Sequence, residues 1–421
     1  MFFQRLWALA YFLMLFLLSF SVLKIPLGFE ARVGQIFILL LFGLILLYDI
    51  RYKTLNLKIL FFFLFFGLLV SVISKISPYE KVGEMKFIIK YLLIFPASFY
   101  VGMKVFQLLP VKKVVFILET VAVLYGIIAF LLYMHPVPSL MHIREGYNDF
   151  QGTFYEPSGL AEAIGLILIS SFALRLQFNL WNRPYLVFST YTFLLIVALM
   201  TRNKMIWIGI FGVLLFSIFY KFFSAFRLKG KISFSDFADT YRNIVENMKK
   251  ISVLKILLIL ISFGVFLYVY NASLEEPIIS EKILEEKIHT ERGKALIATL
   301  KLLEKSHWIG GYGFGFVESY FSKSREEILG LGEGVSMIFN SYLDAWLSGS
   351  FINLIFHLSV LFISFSTDFL ISSFIPVFLF IGANLNPLYG DEYYYLFLGM
   401  SFGAKIFLKK KEKEKEVDYS Y

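Results

Sequence analysis

Apolar runs of about twenty residues recur along this chain with short polar connections between them, and no other feature restricts the fold as much. A hydrocarbon layer of ~30 Å takes ~20 residues of helix to cross. Without water, every backbone N–H and C=O must find its partner inside the crossing segment. Runs beginning near residues 6, 34, 59, 87, 114, 159, 184, 205, 253, 346, 369 and 393 therefore predict about twelve transmembrane helices. Ten-residue segments of alternating polarity, the mark of a membrane β-barrel, are missing. The expected fold is all-α, a single polytopic membrane domain over residues 1–421.

Charge sets the expected orientation. Hydrophobic residues make up 58% of the chain and charged residues 17%, and mean hydropathy is +0.72, against ~25% charged in soluble domains. The formal charge of +9 is read as topology rather than affinity for nucleic acid, because Lys and Arg accumulate on the cytoplasmic side of membrane proteins. Arg51, Lys53, Lys58, Lys104, Lys112, Lys113, Arg175, Arg183, the basic loop 221–252 and Lys409-Lys410-Lys411 all fall on one side of the predicted arrangement. Both termini are then cytoplasmic, the run from Leu6 to Leu23 is an uncleaved anchor, and 409–421 is a charged cytoplasmic tail.

The other side receives 134–158, 201–204, the large loop 271–345 and 384–392. The run from Gln151 to Gly159 leads into a span through Tyr155, Glu156 and Pro157. Proline suits a first helical position, and Glu156 would sit near the positive end of that helix, as an end cap, a general base or an acceptor-sugar contact. Thr201-Arg202-Asn203-Lys204 separates two apolar runs with almost no loop. A charge at membrane depth costs ~2.5–3.5 kcal/mol, so these cations call for anionic partners: Arg202 as a bidentate fork, Lys204 as a point charge.

In the large loop, Thr290 is a candidate N-cap for a helix from Glu291 to about Glu304. Arg292 would head a stripe with Leu296, Leu300 and Leu303, so the helix is expected to lie on the membrane surface with Arg292 at headgroup level. Gly311-Tyr312-Gly313 is read as a turn packing the loop onto the bundle, since no Lys-Ser/Thr follows to make a nucleotide-phosphate loop. The loop closes on Asn340 and Asp344, the latter a second candidate base. Five scattered histidines and no cysteine leave no metal-ligand spacing. Ionisable residues deep inside spans are few, with Glu119, Glu162 and Asp368 as exceptions near span ends, which argues against a transporter.

Taken in order, Glu156-Pro157-Ser158, Thr201-Arg202, Arg292, Gly311-x-Gly313 and Asn340-x-Tyr342-Leu343 resemble the O-antigen ligase and polymerase family over roughly residues 145–365. The resemblance implies a metal-independent glycosyltransferase at the outer face of the cytoplasmic membrane. It implies undecaprenyl-pyrophosphate-linked oligosaccharide as substrate, membrane lipid around it, a flippase and a chain-length regulator as partners, and no cofactor. Arg202 and Arg292 would correspond to the arginines that engage the pyrophosphate, with Glu156 as the third catalytic residue. Lys204, Tyr155, Asn340, Asp344, Gly311 and Gly313 would line the substrate. The ligase branch shows His-Asn where this chain has Phe339-Asn340, and Gly where it has Ser350 and Asn353. Those departures favour the polymerase over the ligase, and a multi-span transporter remains the reading from another class.

Overall fold

A computed structural model describes residues 2–21, 23–26, 30–141, 150–154, 157–181, 184–203, 205–216, 291–323, 338, 340–367, 369–385 and 391–418, with backbone alone for 2, 26, 30–31, 291–294, 321–323 and 411–418. The chain divides into two compact units, Leu215–Lys294 and the remainder, Met1–Leu214 with Ala295–Tyr421. The second of these is the helical bundle treated below.

Its helices are α1 (Phe2–Leu18), α2 (Val33–Tyr52), α3 (Leu57–Ile76), α4 (Glu84–Ile89), α5 (Phe95–Leu108), α6 (Val111–Met134), α7 (Pro157–Phe178) and α8 (Pro184–Met200). They continue with α9 (Met205–Phe216), α10 (Glu291–Lys305), α11 (Phe316–Lys323), α12 (Ser341–Ser364), α13 (Leu370–Leu385) and α14 (Glu392–Asp418). α2, α3, the continuous stretch Glu84–Leu108, α6, α7 and α12 are long and apolar enough to cross a membrane, and α1, α8, α9 and α13 are apolar but shorter. The protein is thus a helical, multi-pass membrane protein. The run expected near residue 253 lies outside the described residues.

Helix is not the whole of it. Lys24–Pro26 (β1) pairs antiparallel with Glu30–Arg32 (β2), Ile25 opposite Ala31, in the connection between α1 and α2. A connection this close to the bundle must pair its backbone groups, and a ribbon does so locally. The all-α expectation missed it.

The central contact joins α5 to α14. A Cβ at Gly102 would collide with the Leu396 carbonyl oxygen, one at Gly399 with that of Phe99, and one at Gly403 with that of Met103. Three glycines on facing surfaces therefore let the two backbones touch, the way small residues join helices where no hydrophobic effect separates protein from lipid. Around this seam pack fully buried Phe63, Phe95, Phe99, Tyr100, Phe356 and Tyr395.

Charges enter the core as closed pairs. Lys104 Nζ lies 2.9 Å from Asp49 Oδ2, with both side chains at most 3% exposed, and Tyr100 and Thr54 donate to the same carboxylate. Arg175 grips Glu119 through Nε and Nη2, each at 2.6 Å. A buried carboxylate requires such partners, since an unpaired one is far costlier than the pair. Ionisable groups inside the bundle are thus more numerous than the apolar runs suggested.

Candidate functional site

Arg202 sits on the turn between α8 and α9. Thr201 Oγ1 donates to Ala198 O at 2.7 Å and Arg202 N to Leu199 O at 3.0 Å, closing α8. The chain then reverses through a left-handed Arg202, φ 52°, and Asn203 Oδ1 accepts from Met205 N at 2.8 Å to start α9. Two apolar helices are thus joined by a short polar turn that carries Arg202. Arg202 is exposed, and no ion pair holds it among the described residues. Lys204, Tyr155 and Glu156 lie outside the described residues.

The segment before Glu156 is anchored from both sides. Thr153 Oγ1 donates to Ser19 Oγ at 2.9 Å, Ser21 N donates to Thr153 O at 3.2 Å, and the Phe154 ring packs edge-on against Tyr125. This fixes where α7 begins, at Pro157.

Arg292 lies in the first turn of α10, where only the backbone is described. The helix runs Glu291–Lys305, one residue beyond the expected end. Ala295, Ala298, Thr299, Leu302 and Leu303 turn toward the protein, whereas Leu296 and Leu300 of the expected membrane-facing stripe are exposed. Ala295 and Ala298 pack in one apolar cluster with Tyr312, Phe316 and Val317.

Asn340, Asp344, Gly311 and Gly313 come together around the first half of α12. Asn340 is its N-cap, Oδ1 accepting from Tyr342 N and Leu343 N at 3.0 Å, and its Nδ2 donates to Asn384 Oδ1 on α13 at 3.1 Å. Asp344 Oδ1 accepts from Ser348 Oγ at 3.0 Å. The helix then breaks: Gly349 and Ser350 leave helical geometry, Ser350 at φ 65°, ψ 178°. The carbonyls freed by the break are taken by the glycine segment. Gly311 N and Tyr312 N both donate to Leu347 O at 2.9 Å, Gly313 N donates to Ser348 O at 2.8 Å, and Phe351 N returns a bond to Ile309 O at 3.1 Å. Non-helical backbone inside a membrane bundle persists only where protein supplies the missing partners. Asn353 Nδ2 adds a bond across the break to Ala345 O at 3.1 Å.

The far side of the glycine segment docks on the α3–α4 connection. Phe314 N donates to Ser74 Oγ at 2.9 Å, Val82 N to Gly315 O at 3.1 Å, and the Phe314 ring lies between Phe87 and Tyr91. Gly315, at φ 79°, leaves no room for a Cβ beside the Val82 carbonyl. Glu318 on α11 is half-buried, and burial raises its carboxyl above the ordinary range, with Lys86 and Lys90 opposing that shift.

Sequence reasoning overlooked a polar cluster that joins Arg32 of β2, Gln35 of α2, Lys90 just after α4 and Glu392 of α14. Glu392, 3% exposed, accepts from Gln35 Nε2 and faces Arg32 Nη1 at 3.8 Å and Lys90 Nζ at 3.9 Å. Arg32 also faces Asp391 at 3.7 Å, and Glu162 on α7 is buried. Lys90 begins a π-helical turn, Lys90–Ile94, between α4 and α5; such turns insert one residue and re-aim side chains, often at functional sites. The available signal was Asp391-Glu392 immediately before an apolar run. Among the described residues no group of three or more His, Asp or Glu is arranged to hold a metal ion. No protein-family model matches the chain, and no curated protein matches its sequence.

Proposed function

We propose that the protein is a surface-polysaccharide polymerase of the O-antigen type, moving glycan from a lipid pyrophosphate onto a lipid-linked repeat unit. In this reading it crosses the cytoplasmic membrane about twelve times with both termini inside, and the chemistry takes place at the outer face. The acceptor hydroxyl oxygen bonds to the anomeric carbon as the bond from that carbon to the pyrophosphate oxygen breaks. The pyrophosphate leaves with the electron pair, and the hydroxyl proton passes to a carboxylate or to water. Arg202 and Arg292 are assigned to the leaving group, where a charge-assisted hydrogen bond contributes ~1.5–3 kcal/mol and preorganised charge stabilises the transition state. Glu156 and Asp344 are the candidate proton acceptors, and no metal takes part.

The observation that supports this most is the exposed, left-handed Arg202 on the turn between two apolar helices, without an ion-pair partner among the described residues. A cation held at a membrane boundary fits an anionic lipid headgroup. Strains carrying Arg202→Ala or Arg292→Ala at wild-type membrane levels should make chains shortened to single repeats; full-length chains in both would refute the assignment. Accumulation of full-length lipid-linked chains instead would indicate the ligase. The ligase is kept in view by Ser350, whose backbone lies in a region that glycine favours, so the serine does not by itself separate the two branches.

A transporter is the second reading, favoured by Lys90, Glu162 and Glu392 buried within the bundle and by the broken α12. Solute uptake into proteoliposomes without glycan transfer would favour it.

A further inference from the structure

The turn after α10 is apolar and exposed, yet it is tied to a helix long enough to cross a membrane. Trp308 and Ile309 are 50% and 56% exposed, and His307 and Trp308 both take a left-handed backbone, φ 52° and 65°, that favours glycine. These two residues turn the chain from α10 onto α12. Ile309 O accepts from Phe351 N at 3.1 Å, Trp308 O accepts from Trp346 Nε1 at 2.9 Å, and Gly311 N donates to Leu347 O at 2.9 Å. Trp308 N, Ile309 N and Gly310 N donate to Leu303 O, Ser306 O and Ser306 Oγ. Every N–H from Trp308 to Gly311 thus has an acceptor within the protein, the condition for irregular backbone at membrane depth.

Two helices bracket that depth. Ser77 Oγ, just past the end of α3, donates to Tyr312 O, which sets Tyr312 at the level where α3 leaves the membrane. Phe351 lies about one helical turn, ~5 Å, beyond Leu347, the partner of Tyr312 N, so Ile309 is held deeper than Tyr312. Phe351 and Ile355 of α12 are exposed, and on a crossing helix such side chains meet acyl chains. Leu296 and Leu300 are exposed on one side of α10, with Lys301 and Lys305 exposed on another, the division of a helix lying in a membrane interface.

We propose that residues 306–314 form a re-entrant turn at the edge of the hydrocarbon, on the side of the membrane where α12 begins, with Leu296, Leu300, Trp308 and Ile309 against phospholipid acyl chains. Tryptophan suits that level, since its ring is apolar and its N–H polar. Lipid contact of this kind requires neither the glycan reading nor a particular orientation of the chain.

The chain contains no cysteine, so one nitroxide at a time can be placed on the full protein in phospholipid vesicles, through Leu300→Cys, Ile309→Cys and, as a marker for the end of α3, Ile76→Cys. Oxygen gathers among acyl chains and a nickel chelate in water. Oxygen should relax the labels replacing Leu300 and Ile309 several-fold more than nickel does, and the label replacing Ile309 should read at least as deep as the one replacing Ile76. Nickel preference at either of the first two, or a shallower reading at Ile309, would mean a surface facing water and would overturn the proposal. Shielding from both reagents would mean cover by protein and would overturn it too. Should the labels disturb the turn, unlabelled protein decides. The part of the tryptophan emission that Trp308→Phe removes should be quenched by phospholipids brominated on the acyl chain and not by iodide; the opposite pattern would refute lipid contact.

Discussion

Along the α5–α14 seam the backbone stays helical and glycines let two helices touch, whereas in α12 the helix opens at Gly349-Ser350 and glycines from another segment enter to pair it. In the first region each helix satisfies its own hydrogen bonds, and glycine supplies only space. In the second, Leu347 and Ser348 depend on N–H groups from Gly311, Tyr312 and Gly313, and glycine supplies backbone conformation. The seam is accordingly rigid by packing, while the break is only as stable as the segment plugged into it.

Substitutions should expose that difference. Gly399→Val is expected to be the most damaging change, because its Cβ would meet the Phe99 carbonyl and helix backbones do not yield as flexible side chains do. A loss of about 3 kcal/mol, read as a fallen melting temperature and low membrane yield, is expected; a well-folded variant would break the contrast. Gly315→Ala should cost about 2 kcal/mol through its left-handed φ and the Val82 carbonyl. Its damage should be local, seen as faster proteolysis within 306–323 while the seam stays protected.

Ser350→Gly should go the other way. At φ 65°, ψ 178° a serine occupies backbone space that is essentially glycine's alone, and relieving it should stabilise by about 1 kcal/mol, offset in part by loss of the Ser350 Oγ bond to Ile352 N. Smallest is a pH effect on the docked segment. The Glu318 carboxyl is raised in the folded protein, so its contribution is fully present below the unfolded value and is lost as pH rises through the folded one. Local opening of α11, followed by hydrogen exchange, should increase across that range and become flat in Glu318→Gln.

Much of the bundle was legible because lipid imposes length and apolarity on each crossing helix. α2 from Val33, α6 from Val111 and α7 from Pro157 begin within a few residues of their predicted positions. What escaped were features decided by a second helix. Gly399 and Gly403 stand four apart in plain view, yet only α5 shows why. Nothing local announces the π-helical turn at Lys90 that brings it to Glu392. On α10 the same holds: the leucine stripe was readable, but the second face, Ala295 and Ala298 against Tyr312 and Phe316, shows only once those rings are in place. For the candidate site, residue types and order were readable, while Asn340 proved to be a helix cap tied to α13.

The glycine seam also dictates a schedule. α5 leaves the ribosome long before α14, so Gly102 and the Lys104–Asp49 pair beside it must wait for nearly three hundred further residues before their partner helix exists. The glycine segment, by contrast, is made just ahead of α12 and can meet that helix as it emerges. Biogenesis therefore runs the two regions in opposite order, the weaker one assembled as it is translated and the tightest contact of the bundle closed last.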